Sequence, residues 1–343
     1  MQEVLKLQQK IVPELMDLLE KRYNILRAIY YNQPIGRRIL ANHLEIGERI
    51  VRTEINFLKK QNLINISTPG MTVTAEGEEI INKLKDFIHE FKGLSEIEQS
   101  LKKVLKIKDV IIVPGDVEED HTVMKELGRT AAQYVKRIIK DNTIVAVTGG
   151  TTIKEVVDSF PCIPYFKNTT VVPARGAMER MVETEANTLA ARFANKLGAK
   201  YKLLSVPENL SDLAFSTILN EKSIKNVINM LHNADVVIYG IGRADEMSTR
   251  RGLSQEEINV ILEKKSVGEA FGYYFDKKGK VVHSTPSIGL SMEDIKKIDN
   301  LVAVAGGKSK ADAIVSTQLS NDKNVLITDE GTAIEMLNIT NDN

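Results

Sequence analysis

Between Val110 and Thr328 short apolar runs alternate with helical stretches, and this alternation restricts the fold more than any other feature of the chain. The predicted strands are 110–113, 143–147, 169–173, 201–206, 235–239, 271–275, 300–305 and 324–328. Helices are expected between most of them, at 121–140, 184–197, 221–232 and 309–319. Strand-helix alternation of this kind indicates a doubly wound, mostly parallel α/β sheet, assigned to residues 108–343. At 343 residues the chain has room for two or three folding units at ~150 residues each.

The first ninety residues follow another pattern. A helix is expected from about Arg22 to Tyr31, broken by N-Q-P-I-G (32–36), whose Pro34 and Gly36 favour a turn. A short helix over Arg37–His43, the turn L-E-I-G (44–47) and a longer helix over 48–61 come next. Ile50, Val51, Ile55 and Leu58 are expected to form the apolar stripe of that longer helix, with Arg49, Arg52, Thr53, Asn56 and Lys60 on other faces. N-L-I-N-I-S-T-P-G-M-T-V-T-A (62–75) then predicts two short strands around a Pro-Gly turn. Two helices across a tight turn, followed by a hairpin, make a winged helix-turn-helix, placed at residues 1–90.

The distribution of charge points to a polyanion partner here. The whole chain is neutral, yet residues 20–63 carry nine Lys/Arg against four Glu. Double-stranded operator DNA is therefore the expected partner, with Thr53 and Asn56 facing base edges and Arg49 and Arg52 divided between bases and phosphates. Arg37 and Arg38 are expected on the DNA backbone. A helical linker is placed at 91–107, where Ser95 and Glu98 have capping-box spacing and Leu94, Ile97, Leu101, Val104 and Leu105 repeat every three or four residues. This helix is expected to help chains pair as a homo-dimer or homo-tetramer on a palindromic site.

In an open α/β sheet ligands bind beyond the carboxyl ends of the strands, so the loops after 147, 173, 239 and 305 matter most. T-G-G-T-T (148–152) offers Gly149 and Gly150 for close backbone approach to an anion, with Thr151 and Thr152 at a helix N-terminus. A-R-G (174–176) supplies Arg175, G-I-G-R-A-D-E-M-S-T-R-R-G (240–252) supplies Arg250 and Arg251, and G-G-K-S-K (306–310) supplies Lys308 and Lys310. Taken alone, each glycine loop is ordinary turn chemistry. G-G-K-S is no P-loop, because the first glycine of that motif would fall on Val302, and G-I-G lacks the third glycine of a dinucleotide fingerprint. Together the four loops suit a sugar bearing one or two phosphates, with arginine and lysine neutralising charge. Glu269, in S-V-G-E-A-F-G-Y-Y-F (266–275), is a weak candidate on its own for holding sugar hydroxyls.

Other chemistry finds little support. Cys162 is the only cysteine, which excludes an internal disulfide framework and fits a reducing cytoplasm. The five histidines have no metal-ligand spacing, so neither a metal nor a resident cofactor is expected. No apolar run reaches the ~18 residues of a membrane span, and the first twelve residues lack a signal-peptide core.

A winged helix joined to a sugar-phosphate α/β domain resembles the SorC-type bacterial transcription regulators over essentially the whole chain. The motifs that carry the resemblance are T-G-G-T-T (148–152), V-P-A-R-G (172–176), R-R-G (250–252), G-E-A-F-G-Y-Y-F (268–275) and V-A-G-G-K-S-K-A (304–311). It implies an effector domain of the sugar-phosphate isomerase/deaminase type and, in members that govern glycolysis, fructose-1,6-bisphosphate as effector. It further implies that Gly149, Gly150, Thr151 and Thr152 cradle one phosphate with Lys310, and that Arg175, Arg250 and Arg251 meet the other. Glu269 would then accept sugar hydroxyls, and Glu185 would line the same cavity.

The resemblance also separates sensor from enzyme. Related deaminases carry G-I-G-x-D-G-H, whose Asp and His move protons; here Ala244 and Glu246 stand at those places, with Asp245 one residue off. General acid–base work needs positioned groups of suitable pKa, so a repressor of glycolytic genes is expected rather than a catalyst. The alternatives are a sugar-phosphate isomerase or deaminase with an accessory DNA-binding module, and an architectural DNA-binding protein whose α/β domain only oligomerises.

Overall fold

The computed structural model describes residues 11–176, 181–206, 216–285, 288–317 and 322–341. The chain divides into two compact units, residues 1–97 with 114–126, and 98–113 with 127–343. Among the described residues no helix is long and apolar enough to cross a membrane.

Among the described residues of the first unit, α1 (Pro13–Asn32), α2 (Arg37–His43) and α3 (Glu48–Lys60) come in turn. Strands β1 (Ile64–Ser67) and β2 (Gly70–Val73) pair antiparallel, Ile64 opposite Val73 and Ser67 opposite Gly70, and α4 (Ala75–Phe91) follows. Thr74 caps α4 by accepting the Gly77 N–H at 3.1 Å, satisfying one of the donors that a helix start leaves open. Ile25 and Ile29 of α1, Leu40 of α2, Val51, Ile55 and Leu58 of α3, Ile64, Met71 and Ile81 share one core. Two expectations change. Helix α1 begins at Pro13, well before Arg22, because proline suits the first helical turn. Ile50 is not in the stripe: it is 48% exposed, whereas Val51 and Ile55 are at 0% and 1%. Each helical residue turns by about 100°, so Ile50 already lies on the outward side when Val51, Ile55 and Leu58 hold the inner one.

Helix α5 (Leu94–Leu105) occupies the predicted linker. Its capping box does not form. The Ser95 hydroxyl donates to Glu90 at 2.8 Å, and the Glu98 carboxylate accepts the Ile112 N–H at 2.8 Å. Leu94, Leu101 and Leu105 are buried and Val104 is exposed, so most of the stripe is used within the chain.

The second unit is built on a seven-stranded sheet ordered β3-β13-β12-β7-β4-β5-β6. Its strands are β3 (Asp109–Val113), β4 (Ile144–Val147), β5 (Thr170–Pro173), β6 (Lys200–Tyr201), β7 (Val236–Tyr239), β12 (Asn300–Val304) and β13 (Asn324–Asp329). Every neighbouring pair is parallel. From β4 the chain steps outward to β5 and β6, then returns to β7 and steps the other way through β12 and β13. The switch point therefore lies between β4 and β7, where the two connections leave in opposite directions and open a crevice.

Two strand expectations fail in detail. Of 201–206 only Tyr201 is strand, joined to Lys200 in a short edge strand, and the Lys202 N–H adds one more bond to the Val171 carbonyl at 3.1 Å. The 271–275 run belongs to a separate antiparallel sheet ordered β11-β10-β9-β8, made of β8 (Gly242–Arg243), β9 (Ser266–Ala270), β10 (Tyr273–Asp276) and β11 (Val281–Ser284). Phe271 and Gly272 form its tight turn, with φ of 54° and 81°. Positive φ at both central residues matches the right-handed twist of the two strands, and the aromatic residues around this turn disguise it as one strand.

Candidate functional site

Residues 148–150 begin the site at the end of β4. The Thr148 N–H donates to the Ile238 carbonyl at 3.0 Å, and its hydroxyl accepts the Gly240 N–H at 3.2 Å, which ties the β4 and β7 loops across the switch point. A side chain at Gly149 would sit 2.7 Å from the Thr184 carbonyl, so the turn cannot carry one without moving backbone. Gly150 takes φ of 116° and is the N-cap of α7 (Thr151–Ser159), with no side chain capping the helix. The first-turn N–H groups of α7 thus face the cavity uncapped by a side chain, at the positive end of the helix dipole, an arrangement suited to phosphate.

The opposite wall is organised around a buried carboxylate. Glu269 on β9 is 3% exposed. Its Oε1 receives Arg251 Nη2 at 2.8 Å and the Gly272 N–H, and lies 4.0 Å from Arg175 Nη1. Among the described residues its Oε2 receives no hydrogen bond from the protein, which leaves an acceptor for a ligand hydroxyl. Arg175 is itself 5% exposed, and a side chain on Gly272 or Gly289 would strike it. Arg250, at the end of α10 (Ala244–Arg250), reaches the Thr184 hydroxyl at 3.4 Å. Lys310 ends the 3₁₀ turn Lys308–Lys310, which follows the Gly307 turn pinned to Asp329 and Thr332.

These groups meet in one cavity of about 860 Å³, within the range of sites that enclose a small molecule. Gly149, Gly150, Thr151, Thr152, Arg175, Glu185, Arg250, Arg251, Glu269 and Lys310 all line it. Asp245 and Glu246, at or beside the places of the deaminase acid and histidine, line it as well, and so do Thr148, Thr184 and Phe271, which the loop motifs did not mark as ligand-facing. Thr148 opens the quoted glycine motif and gave a signal. Thr184 gave none, because it enters from a short 3₁₀ turn, Val182–Thr184. Phe271 packs against buried Tyr239 with ring centroids 4.7 Å apart and planes tilted by 35°, and supplies an apolar wall.

The loop that would carry the proton-moving pair is altered at Ala244 and Asp245. Ala244 is buried, and Asp245 is gripped by Arg243 through Nη2 at 2.6 Å and Nε at 3.1 Å. The hydrogen bond from Arg243 holds the Asp245 carboxyl below the usual carboxylate range, a poor setting for a general base near neutral pH.

In the first unit Arg37, Arg38, Arg49, Arg52, Thr53 and Asn56 are all exposed. Thr53 donates to the Arg49 carbonyl at 3.1 Å, and Arg38 Nε lies 3.9 Å from Glu48. Three of the nine basic residues serve the fold instead. Lys21 and Arg22 each bind buried Glu54 at 2.8 Å, and Arg27 is buried. Arg52 has no such duty among the described residues. Arg52→Ala is expected to weaken binding to a selected DNA duplex by roughly 1–3 kcal/mol, read by fluorescence anisotropy; unchanged affinity would remove α3 as the reading helix.

Residues 18–88 match the CggR N-terminal DNA-binding domain, and residues 89–338 match the sugar-binding domain family. The chain is 42% identical over 337 residues to the central glycolytic genes regulator of Bacillus subtilis (strain 168), covering 98% of this chain and 99% of that one. The crystal structure of a SorC family transcriptional regulator from Enterococcus faecalis shares 36% identity at a TM-score of 0.66, covering 71% of this chain and 99% of its own. The full-length sorbitol operon regulator SorC from Klebsiella pneumoniae has a TM-score of 0.67 over 93% of this chain and 98% of its own; at 18% identity this is a likeness of fold.

Proposed function

This chain belongs to the SorC family of bacterial transcription regulators, and we propose that it represses glycolytic genes under the control of fructose-1,6-bisphosphate. It is a transcription regulator of glycolytic genes with a sugar-binding domain, and its relatives are regulators rather than enzymes. One observation carries the choice of effector. A single cavity presents an uncapped helix N-terminus on one side and Arg175 and Arg250 on another, with the Glu269 carboxylate among them.

In this reading one phosphate rests on Gly149, Gly150, Thr151 and Thr152 with Lys310. The other meets Arg175 and Arg250, while Arg251 shares its charge with Glu269. The Glu269 Oε2 accepts a sugar hydroxyl. Glu185, the N-cap of α8 (Ala186–Leu197), lines the cavity and takes part in shaping it. Operator DNA is met by two or four copies of the chain, and the sugar phosphate releases it by preferring a different arrangement of the assembly.

Titrating fructose-1,6-bisphosphate into the protein–operator complex is expected to lower DNA affinity by about five- to 150-fold, as a coupling of ordinary size gives. The same ligand should raise the melting temperature of the DNA-free protein. Operator binding indifferent to saturating fructose-1,6-bisphosphate would overturn the proposal. Release by a monophosphate alone would replace the effector and keep the site.

A further inference from the structure

We infer that Ile50 is a specificity-determining residue of the DNA-reading helix, packing its side chain against the 5-methyl group of a thymine in the major groove. The inference rests on α3 being the helix that enters DNA.

The apolar residues of α3 do not behave alike. Val51, Ile55 and Leu58 are at most 2% exposed and hold the core. Phe57 is 37% exposed, but the Arg22 guanidinium lies over its ring at 3.6 Å. Ile50, 48% exposed, is the large aliphatic side chain of α3 that the fold leaves to solvent. Thr53 follows one turn later, and Arg49 and Arg52 flank it in sequence, all exposed. With Arg49 beside it and Arg52 two residues on, Ile50 is poorly suited to pack on a second copy of the same surface, since these like charges would face one another. It is well suited to a polyanion that offers an apolar spot at the right depth. Thymine supplies such a spot in the major groove, because its C5-methyl is an apolar group on the base edge that the other three bases lack.

Position on the helix agrees. Glu48 opens α3, so Ile50 is its third residue. In helix-turn-helix docking the N-terminal residues of the second helix contact base edges, and the first helix crosses the backbone. Ile50 therefore stands at the depth of bases, while Arg37 and Arg38 of α2 stand where phosphates run.

The test begins with duplexes selected from a random pool by the full-length protein. Each thymine of the selected sequence is then replaced singly by deoxyuridine, which removes only the methyl group. Affinities are measured for wild type, Ile50→Ala and Ile50→Val. At one or two thymines, deoxyuridine is expected to weaken wild-type binding about three- to tenfold, the scale of burying a methyl or two. Ile50→Ala should show the same loss on thymine DNA and no further loss on deoxyuridine at that position, and Ile50→Val should recover most of the affinity. Losses that multiply, thymines that are all insensitive, or an Ile50→Ala protein that binds like wild type would overturn the inference. So would a change in oligomeric state in Ile50→Ala, which would place the side chain in a protein interface. A pool that yields no enriched sequence fails at an earlier point, and would fault the DNA-reading helix itself.

Discussion

Arg27→Ala is expected to destabilise the winged-helix unit by about 3–5 kcal/mol, the cost of stripping one partner from a buried ion pair. Arg27 is 3% exposed on α1. Its Nη1 donates to Glu126 at 3.1 Å and to the Pro114 carbonyl at 3.0 Å, and its Nη2 reaches Asp120 at 3.0 Å. Burial works against the charge, but Glu126 and then Asp120 outweigh it and hold the guanidinium above its ordinary pKa. Glu126, on α6 (His121–Ile138), is only 2% exposed, and without Arg27 the cation left to it among the described residues is Lys85 at 3.7 Å. Alanine would leave that carboxylate nearly stranded and open a cavity beside Tyr23. The measurement is calorimetric unfolding of the full chain, with hydrogen exchange identifying the transition of α1–α4. A double variant, Arg27→Leu with Glu126→Leu, should regain most of the loss, since apolar packing replaces a buried pair at little cost. An unshifted transition in Arg27→Ala would show that the pair contributes nothing net.

Gly272→Ala is expected to lower fructose-1,6-bisphosphate affinity about ten- to hundredfold, the range for losing a charged hydrogen-bonding partner, with DNA binding in the absence of sugar kept. Gly272 has φ of 81°, which a side chain tolerates poorly, and an added methyl would coincide with the Arg175 guanidinium. Arg175 is buried, so its tip must leave the position from which it faces the cavity. Arg175→Ala should show the same defect, and the double variant should be no worse, because both changes remove one group. Calorimetric titration decides. A Gly272→Ala protein with wild-type sugar-phosphate affinity would mean that Arg175 has no part in holding the ligand.

The glycine turns were legible because they combine two local signals, an apolar run that stops and a helix that starts. Gly149, Gly150 and Lys310 follow from that pattern, and so does the winged helix with its Pro-Gly hairpin. Ser95 and Glu98 show the limit of such spacing. Both residues were taken by longer-range partners, Glu90 and the backbone of Ile112, which no window of four residues contains. The 271–275 run fails for a related reason. A type I′-like turn through Phe271 looks apolar, and only pairing of Glu269 with Tyr274 shows that the chain doubles back there.

Sequence alone determined the periodicities, and with them the two kinds of unit, the parallel sheet and the loops at its strand ends, because side chains repeat at the intervals their own backbone imposes. Tertiary structure alone decided which charges are spent: Arg27 inside the core, Arg251 on Glu269, Asp245 on Arg243. It also decided that Ile50 faces outward. A charge or a methyl group acquires its role from what lies within a few ångströms, and in a folded chain those neighbours come from distant positions.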